Sequence, residues 1–352
     1  MPRGGRLLAS TCPSVLGPAR LGWMQLANNI VVATGPGASA VDVRPLDPQL
    51  QGSLSLQSMD RDGRRFVSAA SGLVAAPGAA AWVVSDEYGE LVRFDQLNRA
   101  GALHAGVPFQ KKKPDLEAIT VVPSGVGGIG GSGAVLAIAS GSAPQGRDTG
   151  VLQAIDSTGR ALGAPRTVNF GLLYDALAGG LPAQLNLEGA AVRGAGASAE
   201  LLLFHRGHGV GNVNKVFILD AAEAIGAARQ GKPVPASALR SEHRVELGTL
   251  GGHPLGFSDA RAVPDGRILF SASAEGSSGS GDGAIIGSAV GFLNAQLGVE
   301  SLRPLTGPPR KVEGIELARS IDPTASPTAV TLVTDPDDPA AGTEVLRVDL
   351  AT

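Results

Sequence analysis

Four acidic residues recur at one position of a repeated pattern, and gathered carboxylates are typical ligands of a divalent cation. Each lies two or three places into an apolar strand, and successive copies are 71, 71 and 54 residues apart. Ca²⁺ takes about six to eight oxygen ligands and tolerates irregular geometry, which suits such a set. We therefore expect a Ca²⁺ site whose ligands are Glu117, Glu188, Asp259 and Glu313. Two alternatives stay open: the acids accept hydrogen bonds from backbone amides of neighbouring repeats, or they line a polar pocket without metal.

Polar residues in the connections between the repeated strands would complete the chemistry of this site. Arg206 is expected to neutralise negative charge that develops in a reaction, and His205 or Glu275 is expected to move protons. These three are the predicted catalytic residues. The residues expected to contact a small anionic substrate are Lys111, Lys311, Asp86 and Asp335.

A repeat of three strands carries these residues. Its clearest copy has strand A at Phe66–Val74, strand B at Ala81–Val84 and strand C at Glu90–Asp95, with a polar loop between B and C. Four later copies follow the same order, and a weaker, earlier one covers residues 29–33 and 40–43. Repeats of this length and strand content indicate an all-β fold, a β-propeller. Counting the weaker copy, we predict six blades, with five or seven as alternatives.

The propeller geometry brings the predicted site residues together. Strand A of each blade lines the central channel, and the loop that enters strand A opens on the same face as the loop between strands B and C. The acids and the polar loop residues should therefore converge at one mouth of the channel. Two longer connections, residues 167–184 and 221–230, are expected to form small surface helices outside the blades.

The bulk composition agrees with one large all-β domain. The chain has 352 residues, of which 43% are apolar and only 4% aromatic, with 50 glycines and 24 prolines. This composition is typical of many short strands joined by tight turns. We expect residues 1–24 to be a poorly ordered N-terminal extension and residues 25–352 to form a single propeller domain.

Charge and cysteine content limit which partners and which cellular compartment we expect. A net charge of −3 gives no field that would attract nucleic acid or a membrane surface, so we expect neither partner. The single cysteine, Cys12, cannot form an internal disulfide. The first residues lack the ~7–15 unbroken apolar residues of a signal peptide, and no segment approaches the ~20 that span a bilayer. We expect a cytoplasmic monomer, with export as the alternative.

Several motifs of common enzyme classes are absent or misplaced. Residues 125–130 match G-x-G-x-x-G, but they lead into another predicted strand and not into a helix, so we do not expect a dinucleotide site. The chain contains no P-loop, H-E-x-x-H, G-x-S-x-G or cysteine cluster. This pattern excludes the common nucleotide-binding, zincin and α/β-hydrolase classes.

Several strings in the repeats resemble an uncharacterised bacterial family of predicted β-propellers. The strings are Lys113–Ala118, Asn186–Ala190, Gly256–Ala260, Gly283–Ser288, Lys311–Ile315 and Val333–Pro339. The resemblance covers about Phe66–Leu350. More distantly, the Glu-Gly and Glu-Ala strands are similar to those of phytase-like and esterase-like propellers. That similarity implies channel acids that bind Ca²⁺ and hydrolysis of phosphoesters or esters, by analogy of fold alone.

Two hypotheses from different functional classes follow. The first is a Ca²⁺-dependent hydrolase of a small anionic ester, phosphoester or lactone at the channel mouth. The second is a non-catalytic propeller that binds a ligand or a protein, with the channel acids purely structural. Under the first hypothesis, loss of one channel acid abolishes both metal binding and turnover. Under the second, it lowers only the melting temperature.

Overall fold

The structure is a computed structural model. It describes residues 30–32, 41–87, 89–104, 106–107, 113–143, 146–181, 184–207, 213–276 and 283–352. The predicted N-terminal extension, residues 1–24, lies outside the described residues.

Five antiparallel sheets surround a channel, and each sheet is one blade of a propeller. Two strands precede the first blade, β1 (Ile30–Val31) and β2 (Gln49–Ser53). The first blade contains β3 (Ala70–Ala76), β4 (Ala80–Ser85), β5 (Leu91–Phe94) and β6 (Ala102–His104). The second contains β7 (Leu116–Val122), β8 (Ala134–Ala139), β9 (Thr149–Ala154) and β10 (Arg166–Asn169). The third contains β11 (Leu187–Arg193), β12 (Glu200–His205), β13 (Asn214–Asp220) and β14 (Leu239–Val245).

The last two blades complete the ring. The fourth contains β15 (Thr249–Leu250), β16 (His253–Ala262), β17 (Ile268–Glu275), β18 (Ile285–Leu293) and β19 (Val299–Pro304). The fifth contains β20 (Lys311–Leu317), β21 (Ala329–Asp335) and β22 (Glu344–Asp349). The innermost strands β3, β7, β11, β16 and β20 each contact the next one, and β20 contacts β3. The prediction of six blades is therefore wrong, because five blades close the ring.

The weaker, earlier copy of the repeat does not form a blade. Its first part contains β1, only two residues long, which pairs with β15 at the margin of the fourth blade. Farther on, Asp42 and Leu46 form single parallel bridges to Ser301 and Leu305, beside the outermost strand of the same blade. Such short pairings add to an existing sheet and cannot bury a hydrophobic face of their own. Residues 33–40 lie outside the described residues.

The fifth blade is completed by a strand from the other end of the chain. Strand β2 pairs antiparallel with β22, so Gln49 lies opposite Arg347 and Ser53 opposite Glu344. The ring is thus closed by backbone hydrogen bonds between segments far apart in sequence. No covalent bond joins these two strands.

The hydrophobic core lies within the blades and between their faces. Most residues of the inner and second strands are buried, as the continuous apolar runs in β8 and β12 indicate. Aromatic rings join the third and fourth blades, because Phe257 packs edge-on against both Phe204 and Phe270, with centroids 5.3 Å apart in each pair. Contacts of this kind fix each blade against its neighbour.

In the part of the chain that the structure describes, helices occur only in the connections. Helix α1 (Gly171–Ala178) and helix α2 (Ala221–Arg229) lie within the two segments for which helices were predicted, and α3 (Ala318–Ile321) follows β20. Four short 3₁₀ turns lie at Pro77–Ala79, Val126–Gly128, Gly196–Ser198 and Ala236–Ala238. None of the helices in the described part of the chain is long and apolar enough to cross a membrane.

Every innermost strand has a β-bulge, near its start in four blades and in the middle of β16 in the fourth, and the bulge sets which side chains reach the channel mouth. The unpaired residue is Ser71, Glu117, Glu188, Ser258 or Glu313 in the five blades, in chain order. A bulge re-aims the side chain of its extra residue, so these five residues form one structural set. The residue that follows the bulge is small in four blades because the inner strands approach closely there. A Cβ on Gly314, for example, would lie 2.9 Å from the backbone nitrogen of Leu73.

Candidate functional site

The bulges place three of the four predicted metal ligands at equivalent positions and the fourth elsewhere. Glu117, Glu188 and Glu313 are bulge residues, whereas the bulge residue of the fourth blade is Ser258. Asp259 is one residue farther along β16. Since successive side chains of a strand point to opposite sides, a displacement of one residue changes the environment completely.

Asp259 is part of a buried structural network. Its carboxylate oxygens each accept a hydrogen bond of 2.8 Å from the guanidinium of Arg261. One oxygen also accepts a bond of 2.9 Å from the backbone nitrogen of Ile315, in the fifth blade. Arg261 in turn donates to the carbonyl of Leu73, in the first blade. The pair thus ties three blades together, and its contacts describe a structural role for Asp259.

Arg206 is the centre of an ion-pair network that joins three blades. Its guanidinium lies 3.4 Å from an oxygen of Glu188 and 3.3 Å from oxygens of both Glu275 and Glu313. Its Nε donates a bond of 3.0 Å to the carbonyl of Phe257. Burial opposes its charge, but the surrounding carboxylates outweigh that effect and raise the pKa of Arg206 further. The network brings together four residues predicted from sequence.

Lys311 extends the network toward the fifth blade. Its Nζ lies 3.5 Å from Glu313, 3.7 Å from Asp335 and 3.4 Å from Asp337. The second oxygen of Glu313, Oε2, is buried and has no hydrogen-bond partner among the described residues. Burial, opposed by the charge of Lys311, raises the pKa of Asp335 to about 7. Lys311, a predicted substrate contact, is thus paired with three acids in the structure.

A second group of acids lies on the side of the first and second blades. Carboxylate oxygens of Asp86, Asp115 and Glu117 all lie within 4.8 Å of one another. Asp86 follows β4, in the loop between the second and third strands of its blade. Asp115 and Glu117 lie two residues apart, at the start of β7. Three carboxylates at this spacing could hold a metal ion.

Each of the two aspartates in this group has one oxygen held by the protein. Oδ2 of Asp86 pairs with Lys113, whereas its Oδ1 is buried without a described partner. Oδ2 of Asp115 pairs with Arg147 at 2.9 Å and accepts a hydrogen bond from Ser140. Groups that hold one oxygen of a carboxylate orient the other oxygen for a ligand. Burial raises the pKa of Asp86 to about 6, against the opposing charge of Lys113.

Glu117 lies between the two acidic groups. Its carboxylate forms no hydrogen bond or ion pair with any residue that the structure describes. Burial raises its pKa well above the usual range, and the charges of Glu188, Asp86, Asp115 and Glu313 add to this effect. The residue is half-buried. An acid in this position is either protonated or accompanied by a cation.

Glu188 titrates near neutral pH. Burial raises its pKa to about 8, because the nearby Arg206 only partly offsets burial and Glu313 adds repulsion. Its Oε1 accepts a short hydrogen bond of 2.6 Å from the side-chain amide of Asn186. A carboxyl group with this pKa can bind or release a proton at physiological pH.

His205 is not part of either acidic group. Its Nδ1 lies 3.0 Å from the backbone nitrogen of Asn186, and its ring centroid is 6.4 Å from that of Phe217. Burial lowers its pKa to about 4, so the imidazole is neutral at physiological pH. These contacts describe a structural histidine. Lys111, a predicted substrate contact, lies outside the described residues.

Sequence reasoning missed Asp115. The alternation of side chains along the inner strand could have identified it, because residues i and i+2 of a strand point to the same side. Two residues before the bulge acid stand Asp115, Asn186 and Lys311 in three of the blades, and all three contact the site. The residue two places before each bulge acid is therefore a candidate site residue, and Asp115 is one of them.

Comparison with known proteins shows the family but not an activity. No curated protein matches the sequence. An N-acetylgalactosamine deacetylase from F. plautii is 10% identical, with a TM-score of 0.47 over 86% of this chain and 94% of the other. An α-L-arabinanase from Penicillium chrysogenum is 9% identical, with a TM-score of 0.46 over 86% and 99%.

A virginiamycin B lyase from Staphylococcus aureus is 10% identical, with a TM-score of 0.39 over 87% of this chain and 99% of the other. At such identities and scores these structures carry no argument about activity. Similarity to phytase-like or esterase-like propellers stays a prediction. Residues 66–350 match the profile of a family of unknown function, DUF6929, and the chain belongs to that family.

Proposed function

We propose that this propeller is a divalent-cation-dependent hydrolase of a small anionic ester, phosphoester or lactone, with the cation held by Asp86, Asp115 and Glu117. The observation that carries the proposal is the carboxylate of Glu117, which has four acidic neighbours and forms no hydrogen bond or ion pair with a described residue. An uncompensated buried charge is costly unless a cation or a proton neutralises it.

The donor set fits Ca²⁺ better than Mg²⁺. Ca²⁺ binds oxygens at ~2.3–2.6 Å, so ligands on opposite sides of the ion are about 5 Å apart. The ligand oxygens of the three carboxylates all lie within 4.8 Å of one another, which is inside this limit. Mg²⁺ demands shorter distances of ~2.0–2.1 Å and near-octahedral geometry, which three irregularly placed side chains supply poorly. This set shares Glu117 with the four-acid set expected from the sequence.

The neighbouring residues supply the other requirements of ester hydrolysis. A bound divalent cation would act as a Lewis acid toward an ester or phosphoryl oxygen. Glu188, whose pKa is about 8, holds or accepts a proton at a carboxylate oxygen. Arg206 orients an anionic group, because its contacts of 3.3–3.4 Å are longer than the ~2.7–2.9 Å of strong charge-assisted bonds and leave it able to accept a competing anion.

Metal binding and turnover must be tested together. The chelator-treated protein is melted with and without Ca²⁺, Mg²⁺ and Mn²⁺, then assayed on a panel of phosphoesters, carboxylic esters and lactones. We expect Ca²⁺ to raise the melting temperature and to be required for turnover of at least one substrate. Glu117→Gln should remove both effects, and the exposed control Glu246→Gln should remove neither. Equal melting curves with all ions would contradict the proposal.

A second function is favoured by the charge of the mouth. Acids outnumber bases among the described residues of the two groups, which favours a non-catalytic propeller that binds a cationic ligand. The acids are Asp86, Asp115, Glu117, Glu188, Glu275, Glu313, Asp335 and Asp337, and the bases are Lys113, Arg147, Arg206 and Lys311. Under this alternative, a lysine-rich peptide binds in a salt-dependent manner, and no substrate is turned over in the presence of Ca²⁺.

A further inference from the structure

A cleft lies at the seam between the fifth and the first blades. Its volume is about 430 Å³, within the range of ~300–1,000 Å³ typical of small-molecule sites. One wall comes from β2, β22 and the region after α3. The other comes from two turns of the first blade, at residues 77–79 and 95–98. We call it the seam cleft.

The seam cleft and the channel mouth are on opposite faces of the propeller. Successive strands of a blade run in opposite directions, so the turn after β3 and the turn after β5 lie on one face. The loop after β4, which carries Asp86, lies on the other face. The two sites share no lining residue. A ligand in the seam cleft is therefore independent of the function proposed above.

The edge strand β2 is shaped to leave this cleft open. A bulge between Leu50 and Gly52 interrupts its pairing with β22. Gly52 has a φ of 142°, which side-chain-bearing residues rarely adopt, and a Cβ there would meet no atom within 4 Å. The glycine is therefore needed for its backbone conformation along the cleft and not to avoid a steric clash.

One accessible donor in the cleft has no partner among the described residues. Nε of Arg347 is fully buried, but about a third of the side chain is exposed, and Nη1 makes no hydrogen bond with a described residue. The guanidinium is held by a single contact of 3.2 Å, from Nη2 to Asp322. Nη1 is therefore the donor that a ligand oxygen can reach.

Further hydrogen-bonding groups line the cleft without partners. The hydroxyl of Ser53 and the side-chain amides of Gln96 and Asn98 bond to none of the described residues. A hydroxyl and an amide both donate and accept. The cleft therefore presents a mixed set of donors and acceptors, which suits a ligand with several hydroxyl groups.

The charged residues of the cleft are paired with one another or with neighbours. Asp322 pairs with Arg347 at 3.2 Å, and Asp95 pairs with Arg93 at 2.8 Å. No surplus of positive charge is left for a phosphate or a carboxylate. The remaining surface is apolar and comes from Leu97, Ile321, Pro323 and Val345. Such surface packs against the C–H face of a sugar ring.

We infer that the seam cleft binds a neutral, polyhydroxylated small molecule, namely a mono- or disaccharide. The volume excludes longer chains from full enclosure, and the paired charges disfavour phosphorylated sugars. Arg347 donates through Nη1 to a ligand hydroxyl, and the amides of Gln96 and Asn98 bind further hydroxyls.

The test uses the full chain and defined probes. Glucose, maltose, cellobiose and lactose are titrated by calorimetry and by saturation-transfer NMR, with glucose 6-phosphate as the charged counterpart. We expect at least one neutral sugar to bind with a Kd of about 1 mM or tighter. Arg347→Met should weaken that binding about tenfold or more, since a hydrogen bond to a charged group is lost.

Two further variants keep the test decisive. Asn98→Ala changes an exposed turn, so it should fold normally and still weaken sugar binding. Arg244→Met removes an arginine from the exposed pair with Glu246 and should leave binding unchanged. The inference is overturned if none of the four neutral sugars binds at about 10 mM, or if glucose 6-phosphate binds more tightly than glucose. It also fails if Glu117→Gln, and not Arg347→Met, removes the binding.

Discussion

At the scale of single residues, Glu188 makes stability depend on pH. Its pKa is about 8 in the folded protein, against 4.5 for an ordinary glutamate. The folded state therefore binds more protons than the unfolded state between these values, so stability falls as pH rises from about 4.5 to 8. The expected slope from this group is up to about 1.4 kcal/mol per pH unit.

Glu188→Gln should flatten this decline. Glutamine resembles the protonated acid, so the variant should be more stable than the natural chain at pH 9 and nearly equal to it at pH 5. Urea unfolding at several pH values measures the effect. The exposed Glu246→Gln variant is the control, and parallel curves for Glu188→Gln and the natural chain would show that Glu188 is ionised throughout.

Asp259 and Glu117 should behave oppositely when neutralised. Asp259→Asn leaves the buried Arg261 without a full counter-charge, so we expect a loss of about 3 kcal/mol or more in unfolding free energy. Its cation-induced rise in melting temperature should persist. Glu117→Gln should lose the cation effect while keeping or raising the stability of the cation-free protein. Urea unfolding and melting curves with Ca²⁺ separate the two, and loss of the cation effect in Asp259→Asn would contradict this division.

The structure brings five of the predicted site residues together and places two others apart from them. Glu117, Glu188, Glu313, Arg206 and Glu275 all lie at the channel mouth. The repeat pattern aligned Asp259 with the glutamates because it is the acid of its string, although it lies one residue after the bulge. Ser258 is the structural equivalent, and a serine in that position gives no chemical signal. His205 looked reactive in sequence, but burial keeps it neutral.

At the scale of elements, the residue after each bulge decides how closely the inner strands approach. A Cβ on Gly314 would lie 2.9 Å from the backbone nitrogen of Leu73 and 2.5 Å from Cγ2 of Val333. The backbone of β3 cannot move aside without disturbing its own ladder. The Glu-Gly pairs of the sequence therefore combine a bulge acid that faces the mouth with a glycine that permits contact between blades.

Gly314→Ala should consequently be destabilising. We expect a loss of about 2 kcal/mol or more in urea unfolding, as for other overpacked sites. Gly130→Ala is the matched control, because a Cβ there meets nothing within 4 Å. Equal losses of unfolding free energy in the two variants would mean that the loss comes from intrinsic backbone propensity and not from the close approach of β20 and β3.

Strands A to C of each blade could be read from apolar runs between turn residues, and so could both long helices. The outermost strands could not. Strand β14, Leu239–Val245, is largely exposed and polar, and β2 is exposed at all five positions. Strands without a buried face lack the alternation on which sequence reading depends. The weaker, earlier copy of the repeat was counted as a sixth blade for a related reason, since the local sequence pattern does not show which sheet a strand joins.

At the scale of the whole molecule, stability depends on β2. Removing residues 1–53 would leave the edge of β22 unpaired, and open edges favour self-association. We expect the melting temperature to fall by roughly 5–10 °C and larger species to appear in size-exclusion chromatography with light scattering. Removing only residues 1–29 should do neither. Identical melting and a monomeric profile for both deletions would show that the ring closes without this strand.

The pairing of β2 with β22 also sets an order in time. The ribosome makes residues 49–53 well before their partners, residues 344–347. At about 5–20 residues per second, roughly 15–60 seconds separate the two. Four blades can assemble while the chain is still being translated, whereas the fifth must wait for the final strand. Until then the early strand has no partner, and a chaperone or another copy of the chain has time to bind it.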